Sequence, residues 1–260
     1  MNIRKAAVAG QFYEADAVKL RKHVATLLSA GREPPTAGAK GLIVPHAGYI
    51  YSGPVAAAAY RCLRAVRQDV ERVALFGPAH RVYLEGMAVP STDAFATPLG
   101  LVELDREEID RIAALPGVCV ADEAHRDEHS LEVQLPFLQE VLGDFSLVPV
   151  VVGRCPPSTV ATVMDTLWQR PGTLLLVSTD LSHFHSYREA RRIDANTCNR
   201  LLAREHALEG EDACGAAALN GLMCTRQSQE LQMELLDSCN SGDTGGGRDR
   251  VVGYGAFILH

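Results

Sequence analysis

Five stretches of this 260-residue chain are apolar almost without interruption: Gly41–Val44, Arg72–Phe76, Leu147–Val152, Thr173–Val177 and Val251–Leu259. A strand with one face in water alternates apolar and polar residues, so a strand without alternation needs cover on both faces. Such strands belong in the middle of a sheet with helices above and below it. Met87–Val89 and Gly100–Leu104 are shorter strand candidates, and Gln229–Asp237 alternates like a half-exposed strand. Helical spacing of apolar residues marks Ala15–Ser29, Pro54–Val66, Asp105–Ala114, Ser130–Leu142, Ser158–Trp168, Tyr187–Arg204 and Cys214–Cys224. Strands alternating with helices predict an α/β fold, with a central, mostly parallel sheet flanked by helices. No linker or repeat interrupts the pattern, so residues 1–260 are expected to form one domain. The Gly-rich stretch Ser241–Arg250 is expected to be a mobile loop between two strands.

Composition excludes several classes. The net charge of −7 speaks against a nucleic-acid surface, which needs a basic excess. No apolar run approaches the roughly 20 residues of a membrane-spanning helix, and Ala6–Gly10 is too short for a signal-peptide core. The expectation is a cytoplasmic protein that binds neither membrane nor nucleic acid. Seven scattered cysteines without a CxxC pair suit neither a disulfide framework nor a zinc ribbon.

Three of the apolar runs end alike. Gly41–Val44 leads to Pro45 and His46. Arg72–Phe76 leads to Gly77, Pro78, Ala79 and His80. Thr173–Val177 leads to Ser178, Thr179, Asp180 and then His183. Ligands of open α/β sheets bind beyond the carboxyl ends of the strands. If the three strands are parallel neighbours, these imidazoles and Asp180 face one cleft. A single histidine after a strand is more often a loop residue bonded to backbone; three in equivalent places favour a site. His23 and His206 fit the surface, and His185 fits a cap of the next helix. His125 and His129 flank the acidic stretch DEAHRDEH and read first as a solvated loop, with His129 able to reach inward.

Cys214 opens the apolar run CGAAALNGLM. At a helix N-terminus its thiolate would be stabilised, and a thiolate binds zinc, iron or copper strongly. Spacing weighs this equally against a small residue that allows close packing beside Gly215.

The motifs AVAGQFY, VPHAGYIYSG, FGPAH, EHSLEVQLPFL, STDLSHF and DACGAAAL run in this order from Ala7 to Leu219. They resemble the Memo family, whose prokaryotic members go by AmmeMemoRadiSam system protein B. The resemblance implies a fold similar to that of the class III extradiol dioxygenases. It also implies a metal site of His46, His80 and Cys214, with Asp180 and His183 beside it. The family's members are described as iron- or copper-binding, as redox-active and, in animals, as adaptors. The family's prokaryotic name implies AMMECR-type and radical-SAM proteins as partners of one system.

The expected function is therefore a metal-dependent oxidoreductase, dioxygenase-like, with iron(II) or copper on His46, His80 and Cys214; zinc is a third candidate. His183 would be the general acid/base, and Asp180 would orient its ring or bond a metal-bound water. Tyr49 and Tyr51 would line the pocket and stack on a planar substrate, core packing being their alternative. Glu132 and Gln134 either bond behind the ligands or lie exposed on a helix. The rival functions are an adaptor that binds a peptide or small molecule without catalysis, and a zinc-dependent hydrolase.

Overall fold

The computed structural model describes residues 1–31 and 38–260. In chain order the strands are β1 (Ile3–Arg4), β2 (Gly41–Val44), β3 (Arg72–Pro78), β4 (Met87–Val89), β5 (Ala94–Thr97), β6 (Gly100–Glu103), β7 (Val118–Val120), β8 (Ser146–Val152), β9 (Thr173–Ser178), β10 (His183–His185), β11 (Met233–Asn240) and β12 (Val251–Leu259). The helices are α1 (Ala17–Ser29), α2 (Tyr49–Arg61), α3 (Arg106–Ala113), α4 (Asp122–Arg126), α5 (Leu135–Leu142), α6 (Pro157–Trp168), α7 (Tyr187–Leu202), α8 (Ala216–Cys224) and α9 (Arg226–Glu230).

The main sheet runs β10-β12-β2-β9-β3-β8-β4-β7, with β11 paired to β12. Its centre, β2-β9-β3-β8, is parallel throughout. Antiparallel pairings flank that centre, with β12 on one side and β4 on the other. A small sheet, β1-β5-β6, packs apart from it. The four central strands are buried along almost their whole length, which is why their sequences do not alternate.

Several elements differ from the sequence expectation. Helix α2 starts at Tyr49 rather than Pro54 and carries the proline inside it. Burial of nearly the whole helix against the sheet outweighs the proline's cost of about 3 kcal/mol. The expected helix Ser130–Leu142 is a 3-10 turn, Glu132–Gln134, followed by α5, whose first turn accepts Pro136. Within Gln229–Asp237, residues up to Glu230 complete helix α9, and the strand begins at Met233. The loop after β11 is tied down: Asn240 and Asp243 form a capping box, and the Gly246 N–H donates to the Ser241 carbonyl at 2.7 Å.

Glu132 lies fully buried at the start of the turn before α5. Its carboxylate accepts hydrogen bonds from Arg4 Nη1 (2.6 Å), the Ala7 and Val8 backbone N–H groups (2.7 and 3.0 Å) and the Tyr13 hydroxyl (2.6 Å). The expected alternatives for Glu132, surface or metal periphery, give way to a third role: one carboxylate fastens the N-terminal segment to the body.

Candidate metal centre

Because β2, β9 and β3 are parallel neighbours, their carboxyl ends open side by side. His46 follows β2, His80 follows β3, and Asp180 follows β9. Both histidines are held through Nδ1. The Ser178 hydroxyl donates its only proton to the Ser130 carbonyl (2.6 Å) and accepts from Gln134 Nε2 (2.8 Å). It can therefore only accept from His46 Nδ1, 2.9 Å away, so Nδ1 carries the proton and Nε2 keeps its lone pair. The His80 Nδ1 lies 2.9 Å from Glu128 Oε1, and the His80 backbone N–H donates to Oε2 at 2.6 Å. A carboxylate only accepts, so Nδ1 of His80 carries a proton and Nε2 is the ring nitrogen left for a metal. Metal-binding histidines are commonly held this way through the other ring nitrogen.

Cys214 completes one side. Its Sγ lies 3.3 Å from His46 Nε2 and accepts from the Asp180 backbone N–H at 3.2 Å. Gly215 makes that approach possible: a Cβ there would lie 2.7 Å from Thr179 Cβ and 3.0 Å from the Ser178 carbonyl. Helix α8 begins only at Ala216, so Cys214 precedes it. Burial, then the neighbouring Asp180 charge, pushes the thiol up to about 12, so without a metal Cys214 is a protonated thiol, not the expected thiolate.

His129 joins from the segment before the Glu132 turn. His46, His80 and His129 offer ligand atoms that all lie within 4.8 Å of one another, a group that could hold a metal ion. The His80 and His129 rings stack at 4.6 Å. His129 Nδ1 is buried and makes no hydrogen bond. Sequence reasoning placed His129 first in a solvated loop; the signal that could have found it was Glu128 and His129 standing together before the apolar run of α5. Gly77, whose Cβ would lie 2.8 Å from Leu131 Cδ2 and Ser130 Oγ, lets that segment press against the end of β3. His125, expected in the same solvated loop, is buried with its Nε2 3.0 Å from the Ala88 carbonyl.

Burial keeps His46 and His129 neutral beside the ionised Glu128. Burial, then the His80 and His129 rings, hold His46 well below its ordinary value. Burial also lowers His129, to about 4. For Glu128 burial acts upward, but the hydrogen bond and charge of His80 and the Ser130 N–H outweigh it and hold the carboxyl down to about 2. Burial pushes Asp180 up to about 7 against the bond from the His46 N–H (2.7 Å). His183 is lowered by its partial burial. Asp180 thus braces the His46 backbone, and among the described residues it makes no hydrogen bond to His183.

An open cleft of about 410 Å³ reaches this cluster, with His129, Asp180, His183 and Tyr51 in its walls. Tyr49 is elsewhere: it is 2 % exposed, its hydroxyl donates to the Val133 carbonyl at 2.7 Å, and its ring packs on Phe137 and Tyr13. It is a core residue and offers no face to a substrate. Gln134 is buried too, bonded to Pro45, Ser178 and Tyr60, so it steadies the hydroxyl behind His46.

The donors fit a metal: two imidazoles oriented through Nδ1, a third whose buried Nδ1 lies 3.3 Å from Glu128 Oε1 without a hydrogen bond, and a thiol within reach of the first. No helix among the described residues is long and apolar enough to cross a membrane.

Comparison with known proteins bears on the family of the chain. The chain matches the family model described as Memo-like protein over residues 4–258. It is 34% identical to a MEMO1 family protein of Methanopyrus kandleri over an alignment of 279 residues, which covers 98% of each chain. A MEMO1 family protein of Aquifex aeolicus is 34% identical over 272 residues, covering 100% of both chains. Among solved structures, an uncharacterized protein from Escherichia coli K12 superimposes with a TM-score of 0.52 at 14% identity, covering 84% of this chain and 98% of that one, a likeness of fold alone. A match along nearly the whole length, to the family model and to full-length relatives alike, means that this chain belongs to the Memo family.

Proposed function

We propose that the protein is a metal-dependent redox enzyme whose iron(II) or copper is held by His46, His80 and Cys214. The observation that supports this is that His46 and His80 are each held through Nδ1 by a buried partner, while the Cys214 sulfur lies 3.3 Å from His46 Nε2. A bound iron or copper would supply Lewis acidity and a one-electron centre, and a thiolate in its donor set favours copper(I) or tunes iron. The chain's own part is to orient and to move protons. Ser178 and Glu128 hold the rings. Asp180 braces the His46 backbone. His183, neutral at pH 7 and in the cleft wall, takes or returns the substrate proton. Tyr51 gives the substrate an aromatic wall. Any joint action with AMMECR-type or radical-SAM proteins would deliver or consume that substrate.

The His46, His80, His129 group favours a second reading, a three-histidine zinc site that activates water for hydrolysis. Metal analysis of anaerobically purified protein separates the two. Redox function expects iron or copper that is lost in Cys214→Ser and kept in His129→Ala. Zinc that survives Cys214→Ser and is lost in His129→Ala overturns it in favour of the hydrolase.

A further inference from the structure

Arg250 supplies the only lysine or arginine side chain among the residues lining the metal cleft. Its position is held on both sides. Arg248, two residues before it, stacks over the Tyr187 ring at 4.6 Å, and Val251, directly after it, pairs with His185 in the sheet. The Arg250 guanidinium itself sits 4.9 Å over the ring of Phe184. Phe184 is 62 % exposed and adopts φ +64, a left-handed conformation that a phenylalanine rarely takes. That conformation presents the ring as a platform under Arg250.

Among the described residues the Arg250 side chain makes no ion pair and no hydrogen bond, while the other faces of the cleft are spoken for. The one carboxyl group in its lining, Asp180, is engaged with the His46 backbone. Phe12 and Tyr51 contribute aromatic surface. The Gly-rich loop that ends at Arg250 folds against Tyr51, because Gly245 comes close enough that a Cβ there would lie 3.4 Å from the tyrosine ring. A free guanidinium with its fork of donors, in a cleft that also has aromatic walls, is the arrangement that recognises an oxyanion carried on an aromatic molecule.

On the reading of this cleft as the metal enzyme's substrate site, we propose that the substrate is a small aromatic molecule bearing a carboxylate or phosphate, and that Arg250 binds that group. The reacting atoms then fall to the metal cluster and His183, and Arg250 determines specificity without touching them.

Isothermal titration of the wild-type protein, both metal-loaded and metal-free, with benzoate, phenyl phosphate and neutral benzyl alcohol tests this. At least one of the two anions is expected to bind tenfold or more tightly than benzyl alcohol, and the stronger anion identifies the group. Arg250→Gln is expected to abolish that preference and Arg250→Lys to restore part of it, both with wild-type metal content. Equal binding of the anions by wild type and Arg250→Gln overturns the inference, as does a wild type that binds neither anion or prefers the alcohol. Absence of metal from the wild type sinks the proposed function instead, and leaves the anion preference of the metal-free protein to be read separately.

Discussion

The sulfur of Cys214 lies 3.3 Å from Nε2 of His46, across 168 residues of sequence. The two meet because β2 and β9 are adjacent and Gly215 lets the chain before α8 lie against the end of β9. His46 contributes a lone pair to the contact only because its single N–H, at Nδ1, donates to the Ser178 hydroxyl. Ser178→Ala should therefore weaken metal affinity by about 10–100-fold while leaving the fold intact, since outer hydrogen-bond partners are worth that much at metal sites. Competition against a chelator of known affinity, with circular dichroism as the check on folding, measures it. Unchanged affinity would mean that His46 needs no orientation to bind.

Gly215→Ala should disturb the same contact from the other side. The added methyl would overlap Thr179 and the Ser178 carbonyl, and the backbone atom among these cannot rotate away. Overpacking of this kind costs about 1–3 kcal/mol. Urea unfolding should show that loss, and metal content should fall with it as Cys214 is displaced.

Glu132 is fully buried and accepts four hydrogen bonds, one of them from the Arg4 guanidinium. Glu132→Gln leaves a buried arginine without its counter-charge, a change that typically costs about 3–5 kcal/mol. A large drop in the urea midpoint, with faster proteolysis near the N-terminus, is the expected result. A variant as stable as the wild type would show that the N-terminal segment is not held by this carboxylate.

Asp105 caps α3 and pairs with Arg72 Nε at 2.6 Å. Burial acts to raise its carboxyl, but the Glu108 N–H, Arg72 and Ser146 outweigh that and the net shift is downward. A group whose folded value is depressed contributes stability above its unfolded value, and that contribution is lost as the pH falls through the folded one. Asp105→Asn keeps the capping acceptor but not the charge. At pH 7 it should be about 1 kcal/mol less stable than wild type, and the gap should close as the pH drops below the ordinary aspartate range near 3.8. Urea midpoints across pH 3–7 give the comparison; a gap as wide at pH 3 as at pH 7 would rule out the ion pair as its source.

The central sheet was legible in the sequence because burial on both faces writes itself as unbroken apolar runs, and Gly41–Val44 and Val251–Leu259 coincide with strands end to end. The short elements β1, β5, β7, β10 and α4 were not, since two to five residues carry too little periodicity to stand out. His46, His80 and Asp180 could be picked out because each follows a buried strand, and strand ends are where an α/β sheet exposes chemistry. Tyr49 and Tyr51 look alike in sequence, two residues apart in one helix. Only packing decides that the first bonds to Val133 in the core while the second lines the cleft.

What the sequence determined by itself was the sheet and the positions along it where polar groups must emerge, because hydrophobic burial is a property each segment carries alone. What the tertiary structure decided was everything that depends on a neighbour distant in the chain. Charged Glu128 and Glu132 are buried, His129 turns into the cluster, and His46 and His80 are held through Nδ1 by Ser178 and Glu128. A buried polar group is stable only with its partner in place, and no local pattern of residues records who that partner is.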